Sequence, residues 1–180
     1  LATAACNQAP SAGNDASAAA ESYDLAAQKA KLAVIEMKPD TSFLTDEERQ
    51  VVNLLIQASD IMSTIYRAQR DANWQATRAG IEKQGDALKL EMYDRNFGPW
   101  DEVADLHPFG GGARMPEGAG FYPADLTREE FDAYLARNPG EKTALTSPYT
   151  VVVRDGVKLK AIPYSVAYKT ELTQAAKLLD

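Results

Sequence analysis

The chain has 180 residues, 45% of them hydrophobic, enough for one domain with a sizeable core or one domain and a tail. Nineteen lysines and arginines against 26 acids leave a net charge of −7, a field that repels phosphate backbones and speaks against nucleic-acid partners. One cysteine and one histidine, Cys6 and His107, give no internal disulfide framework and too few ligands for a zinc site of the usual kind.

The first 22 residues, LATAACNQAPSAGNDASAAAES, are small and polar without a periodic apolar face, and are expected to be a disordered tail. The lone Cys6, preceded by LATAA, resembles the end of a bacterial lipoprotein signal, although Thr3 stands where that pattern carries Leu, Val or Ile. On that reading Cys6 is a lipidation site and the only membrane attachment, residues 7–22 are its tether, and the protein belongs in the bacterial envelope or periplasm. The plain alternative is a chance cysteine in a tail, with a cytoplasmic location. No apolar run approaches the roughly 18 residues that span a bilayer.

The folded part is expected over residues 23–180, as an α+β, predominantly helical domain. Residues 23–30 favour helix; LAVIEM, 32–37, either finishes that helix or forms a short extended segment, and Pro39 ends both. The clearest element follows. Thr45 caps it, Glu48 completes a reciprocal capping box, and three acids in a row suit the positive helix end. Val51, Leu54, Leu55, Ala58, Ile61, Met62 and Ile65 then recur at helical spacing, predicting about 25 residues with one broad apolar face. The mixed-sign polar side argues for a core helix over a membrane-surface one.

A weaker helix is expected over 74–92, interrupted at Gly80 and Gly85, then a long loop anchored by Phe97, Trp100 and Phe109. Thr127 and Glu130 repeat the capping-box pattern with Leu126 and Phe131 as a hydrophobic staple. TVVV, Asp155-Gly156 and the run from Val157 predict a hairpin closed by Pro163. Ser165 is the expected cap of a last helix carrying Tyr168, Leu172, Ala175 and Leu179 on one face, a stripe that reaches Asp180 with no glycine or proline stop. The start without methionine suggests that an earlier segment has been removed or omitted, and that ending reads as a chain cut before its natural end, whose last-helix stripe would be bare in isolation.

Catalytic patterns are missing. The glycines at 110–120 fit neither a Walker loop nor a dinucleotide fold, which has glycine where Pro123 stands. No Gly-x-Ser-x-Gly elbow exists, and His107 sits beside Pro108 in a loop. The acid pairs Asp101/Glu102 and Glu129/Glu130 read as helix starts. No catalytic or metal-binding residue is assigned.

The order of MKPDTSFLTDEERQVVNLLIQASDIMSTIYRAQ, NFGPWDEV, PEGAGFYPADLTREEF and SPYTVVVRDGVKLKAIPYSVAY resembles the N-terminal portion of the dipeptidyl peptidase III family of zinc metallopeptidases, over about residues 32–180. It is most similar to the shorter bacterial members and to the peptidase part of plant Nudix fusions. The resemblance implies a two-lobed enzyme that releases dipeptides from peptide N-termini, with zinc held by a His-Glu-x-x-x-His helix and a second acidic motif. Neither motif can be matched here, so it implies a peptide substrate, zinc and a C-terminal catalytic region for a full-length protein, and a non-catalytic role for this chain. A stand-alone envelope binding module without chemistry is the alternative. Residues 118–123 are the one loop with a surplus over structural need: Gly118 and Gly120 allow close approach, while Phe121 and Tyr122 add a flat apolar surface with a hydroxyl. Either its rings pin it to the core, or these four residues touch a peptide in the cleft between lobes.

Overall fold

The computed structural model describes residues 23–109 and 112–180; the expected tail, Cys6 and Gly110 lie outside the described residues. The fold is α+β and predominantly helical, with eight α-helices and two small antiparallel hairpins among the described residues. Helix α1 (Leu25–Ala30) is capped by Asp24, whose carboxylate accepts from the Ala26 and Ala27 amides. Residues 33–40 then run without regular structure, and Val34, Ile35 and Met37 stand in solvent, so LAVIEM neither extends the helix nor pairs as a strand.

Helix α2 (Asp46–Arg70) has the expected 25 residues and a complete capping box: Thr45 Oγ1 accepts from the Glu48 amide while Glu48 accepts from the Thr45 amide at 2.8 Å. Helices α3 (Trp74–Lys83) and α4 (Ala87–Asn96) follow. Gly80 is carried inside α3; the break falls at Gly85, which takes the left-handed φ of +72°, after which Asp86 caps α4. The second helix outruns the expected Met92 because Asn96 donates back to the Met92 carbonyl and accepts the Glu102 amide, which closes the turn through the left-handed Phe97. Tyr93, fully buried, donates its hydroxyl to the Trp74 carbonyl and so fixes α4 on α3.

The segment after α4 is anchored as its aromatics predict. Strands β1 (Trp100–Asp101) and β2 (His107–Pro108) form a minimal antiparallel pair, Trp100 and Phe109 are buried, and Phe97 meets Tyr66 edge-on at 5.2 Å. Asp101 starts a 3-10 turn by accepting from the Val103 amide. One core gathers here: Ile81, Met92, Tyr93 and Phe109, with Tyr23 and Leu25 of the α1 region packed against it.

A second core forms from α5 (Arg128–Arg137), α6 (Lys142–Leu145), β3 (Thr150–Asp155) and β4 (Lys158–Pro163), with Tyr134, Leu145, Val152 and Leu159 at its centre. Thr127 caps α5 through the Glu130 amide, but the reciprocal half of that box is not made, because Arg154 of β3 takes both Glu130 carboxylate oxygens at 2.9 Å. In the hairpin Asp155 pairs with Lys158, so the turn is Gly156-Val157, one residue later than the Asp-Gly signal suggests. Gly156 alone has positive φ, as a turn with glycine first requires, whereas an Asp-Gly turn would need both central residues there.

Helices α7 (Tyr164–Ala167) and α8 (Lys169–Leu179) end the chain. Ser165 lies inside α7 and caps neither helix; the backbone breaks at Tyr168 instead. Helix α8 packs along α2 with its first turn beside Gln69, where the Gln69 side chain meets the Tyr168 hydroxyl, and therefore runs antiparallel to it. The two helices join the two cores. The apolar stripe of α8 is thus partly covered: Ala175 and Tyr168 are buried, while Leu179 stays exposed.

Candidate functional site

The loop between the two cores is built from consecutive tight turns. Ala119 donates to the Pro116 carbonyl at 2.8 Å, Phe121 to Gly118 at 2.9 Å, and Leu126 to Pro123 at 2.9 Å. Ala119 itself takes a left-handed φ of 45°, a conformation costly for a residue with a Cβ, so the surroundings must impose it.

Three contacts supply that constraint. The Gly120 amide donates to the Gln69 carbonyl at 2.8 Å; this is one of the carbonyls that the last turn of α2 leaves without an intrahelical partner. A Cβ at Gly120 would lie within 3.0 Å of backbone atoms of Ala68 and Gln69, so only glycine lets the loop come this close. The Phe121 carbonyl accepts from the Val152 amide at 2.8 Å, and the Tyr122 hydroxyl donates to the Leu145 carbonyl at 2.9 Å. The loop therefore clasps α2, β3 and α6 at once.

Rings complete the clasp. Tyr122 meets Phe131 edge-on at 5.3 Å, and Phe121 lies over Tyr164 at 6.4 Å. Burial raises the Tyr122 phenol above its ordinary value, which keeps it a neutral donor to Leu145.

Of the four residues singled out from the sequence, Gly118 and Tyr122 line a cavity of about 440 Å³ between the loop and α5, Gly120 is buried under α2, and Phe121 faces Tyr164. Phe131 and Leu126 supply its apolar wall; Glu117, Asp132, Arg128 and Lys142 supply charge, with Arg128 and Asp132 paired at 3.5 Å. Helix α5 aims Arg128, Phe131, Asp132 and Leu135 at this cavity through their three-to-four spacing. That spacing is the one signal from which the sequence could have brought them together. The cavity offers mixed charge over an apolar floor, which suits an amphipathic ligand by contact.

Behind the clasp, the end of α2 is held by cations. Arg67 lies over the Phe97 ring at 4.8 Å and reaches Asp94 at 3.4 Å, Arg70 pairs with Glu102, and Arg78 holds Asp94 in a bidentate pair at 2.8 and 2.9 Å. Arg67 and Arg70 also complement the negative end of the helix. The Arg78 hydrogen bonds hold the Asp94 carboxyl below the usual carboxylate range.

His107 stacks on Tyr23 with centroids 4.0 Å apart and planes 6° from parallel, and Tyr23 donates its hydroxyl to the buried Asp101 at 2.8 Å. Among the described residues no group of three His, Cys, Asp or Glu comes together, so the residues present do not fit a zinc site. No helix of the described residues is long and apolar enough to cross a membrane.

The chain is similar to the solved structure of dipeptidyl peptidase III from Caldithrix abyssi, with 39% identity and a TM-score of 0.79 over 86% of this chain. It is also similar to dipeptidyl peptidase III from Corallococcus sp. strain EGB, with 31% identity and a TM-score of 0.77 over 86% of this chain. In both cases it spans only 30% of the other chain. The described residues thus form a dipeptidyl-peptidase-III-like segment, as the order of its motifs implied. No protein-family model and no curated protein matches the chain.

Proposed function

We propose that this chain is the N-terminal, non-catalytic region of a zinc-dependent metallopeptidase of the dipeptidyl peptidase III kind, whose full-length form releases dipeptides from peptide N-termini. The observation that carries the reading is the shared fold at 39% identity with a protein of which this chain matches 30%. The donor set agrees with it: a single exposed histidine stacked on Tyr23 cannot assemble a His-Glu-x-x-x-His zinc site, so zinc and the water it activates belong to polypeptide outside the match. The role of this region is then to build one wall of the peptide cleft. Gly118 and Tyr122 would contribute directly from the cavity, and Gly120 and Phe121 by holding the loop in place. Cys6, if lipidated, would tether the enzyme in the bacterial envelope.

The coding sequence after the codon for Asp180 tests the reading. It is expected to continue in frame into a His-Glu-x-x-x-His helix, and the product to bind one equivalent of zinc and shorten peptides by two residues. A stop codon directly after Asp180 in the native transcript would overturn it. Metabolic labelling with a fatty acid, lost in Cys6→Ser, tests the anchor.

A further inference from the structure

The apolar face of α2 is broad, and α8 covers one edge of it. Eleven residues of α8 extend about 16 Å at 1.5 Å per residue, against about 37 Å for the 25 residues of α2. Starting beside Gln69 and running backward, α8 reaches the Ala58–Ile65 half, where both of those residues are buried.

The rest of the face is bare. At 3.6 residues per turn, Val51, Val52, Leu55, Ile56 and Met62 fall in one arc of about 140° beside the covered face. Val51 and Ile56 are each 55% exposed, and Leu55 and Met62 nearly as much. Ser59 and Ser63 fall in the same arc and have already turned their hydroxyls onto the backbone, Ser59 to the Leu55 carbonyl at 2.9 Å and Ser63 to the Ser59 carbonyl at 3.1 Å. Between Val51 and Tyr66 no ionisable side chain other than Tyr66 itself stands in the arc; Asp60 and Arg67 lie outside it. A solvated helix face carries charge, whereas a buried one carries apolar side chains and small residues with internally satisfied hydroxyls. This face has the second character.

We infer that the bare face of α2 is a helix-docking surface for the part of a dipeptidyl-peptidase-III-like polypeptide that lies outside the matched segment. The inference rests on the functional reading above. An apolar helix would set its ridge into the shallow groove over Ser59 and Ser63, between Leu55 and Met62 on one side and Ile56 on the other. Two observations select this occupant. The same segment in the two solved enzymes sits in chains of which it makes up 30%, so more than twice its own length of further polypeptide is there to cover it. A second copy is disfavoured because each chain carries a net charge of −7.

The test compares Val52→Glu/Ile56→Glu in two settings: this 180-residue chain, and a chimera in which residues 23–180 replace the matched segment of the Caldithrix abyssi enzyme. Gln57→Glu, on the polar side of α2, is the control. In the chain alone the double variant should leave the melting temperature unchanged. In the chimera it should cut soluble, dipeptide-releasing activity several-fold or more, since glutamates would be shut into an apolar contact, while the control leaves activity intact. A native-face chimera without activity would sink the functional reading and this inference together. An active chimera indifferent to the two glutamates would sink this inference alone. So would sedimentation showing that the 180-residue chain dimerises and that the glutamates dissolve the dimer, since the face would then belong to a second copy.

Discussion

The sharpest structural consequence concerns Gly120→Ala. The added methyl would lie 2.9 Å from the Gln69 carbonyl carbon and 3.0 Å from that of Ala68, closer still to the Ala68 oxygen, all of it helix backbone that cannot swing aside. Two costs follow: overpacking, at about 1–3 kcal/mol, and loss of the Gly120 to Gln69 hydrogen bond as the loop backs away, at about 0.5–1.5 kcal/mol. Together they give roughly 2–4 kcal/mol, which for a chain of this size corresponds to a fall in Tm of about 5–15 °C. Thermal and urea unfolding followed by circular dichroism would read it. Gly140→Ala is the internal reference, since a Cβ there meets nothing within 4 Å and the backbone has no positive φ. If Gly120→Ala unfolds within about 1 kcal/mol of the parent, or tracks Gly140→Ala, the close approach of loop to helix is not what requires glycine.

Tyr122→Phe removes the donor to the buried Leu145 carbonyl and should cost about 1 kcal/mol in urea unfolding without changing the fold; no loss would mean the hydroxyl does not pin the loop. Gly80→Ala, inside α3 with free space around it, should stabilise by up to about 1 kcal/mol, while Gly85→Ala, forced to a φ of +72°, should destabilise by about 1–2 kcal/mol; equal signs in chemical denaturation would contradict the break assigned to Gly85. Asp94, depressed by Arg78, contributes stability that is complete above its unfolded value near pH 4 and is lost as the pH falls through the lower folded value. Asp94→Asn should therefore flatten the urea midpoint below about pH 4, and an unchanged acid slope would refute the pairing. At the alkaline end, burial pushes the Tyr93 phenol up to about 12, so its contribution is complete below pH 10 and disappears as the pH rises toward 12; in an absorbance titration Tyr93→Phe should remove one late-ionising phenol.

Sequence alone was enough wherever the governing contact is local. Thr45 and Glu48 meet across one helical turn, so their box could be read directly and is made as read. The same pattern at Thr127 and Glu130 is only half made, because Arg154, which lies 24 residues from Glu130 along the chain, offers a bidentate partner stronger than a single amide. The hairpin was legible as a hairpin, but its turn moved by one residue once the register was fixed. The family resemblance lay in the order of motifs, which needs no coordinates. Why Gly120 is glycine, by contrast, depends on the end of α2, fifty residues earlier in sequence. The stripe expected to be bare on the last helix is partly covered, and a longer bare stretch lies on α2, because α8 is long enough to cover only half of its partner. Periodicity tells how wide the apolar face of a helix is. Only the lengths and directions of its neighbours decide which part of that face is covered.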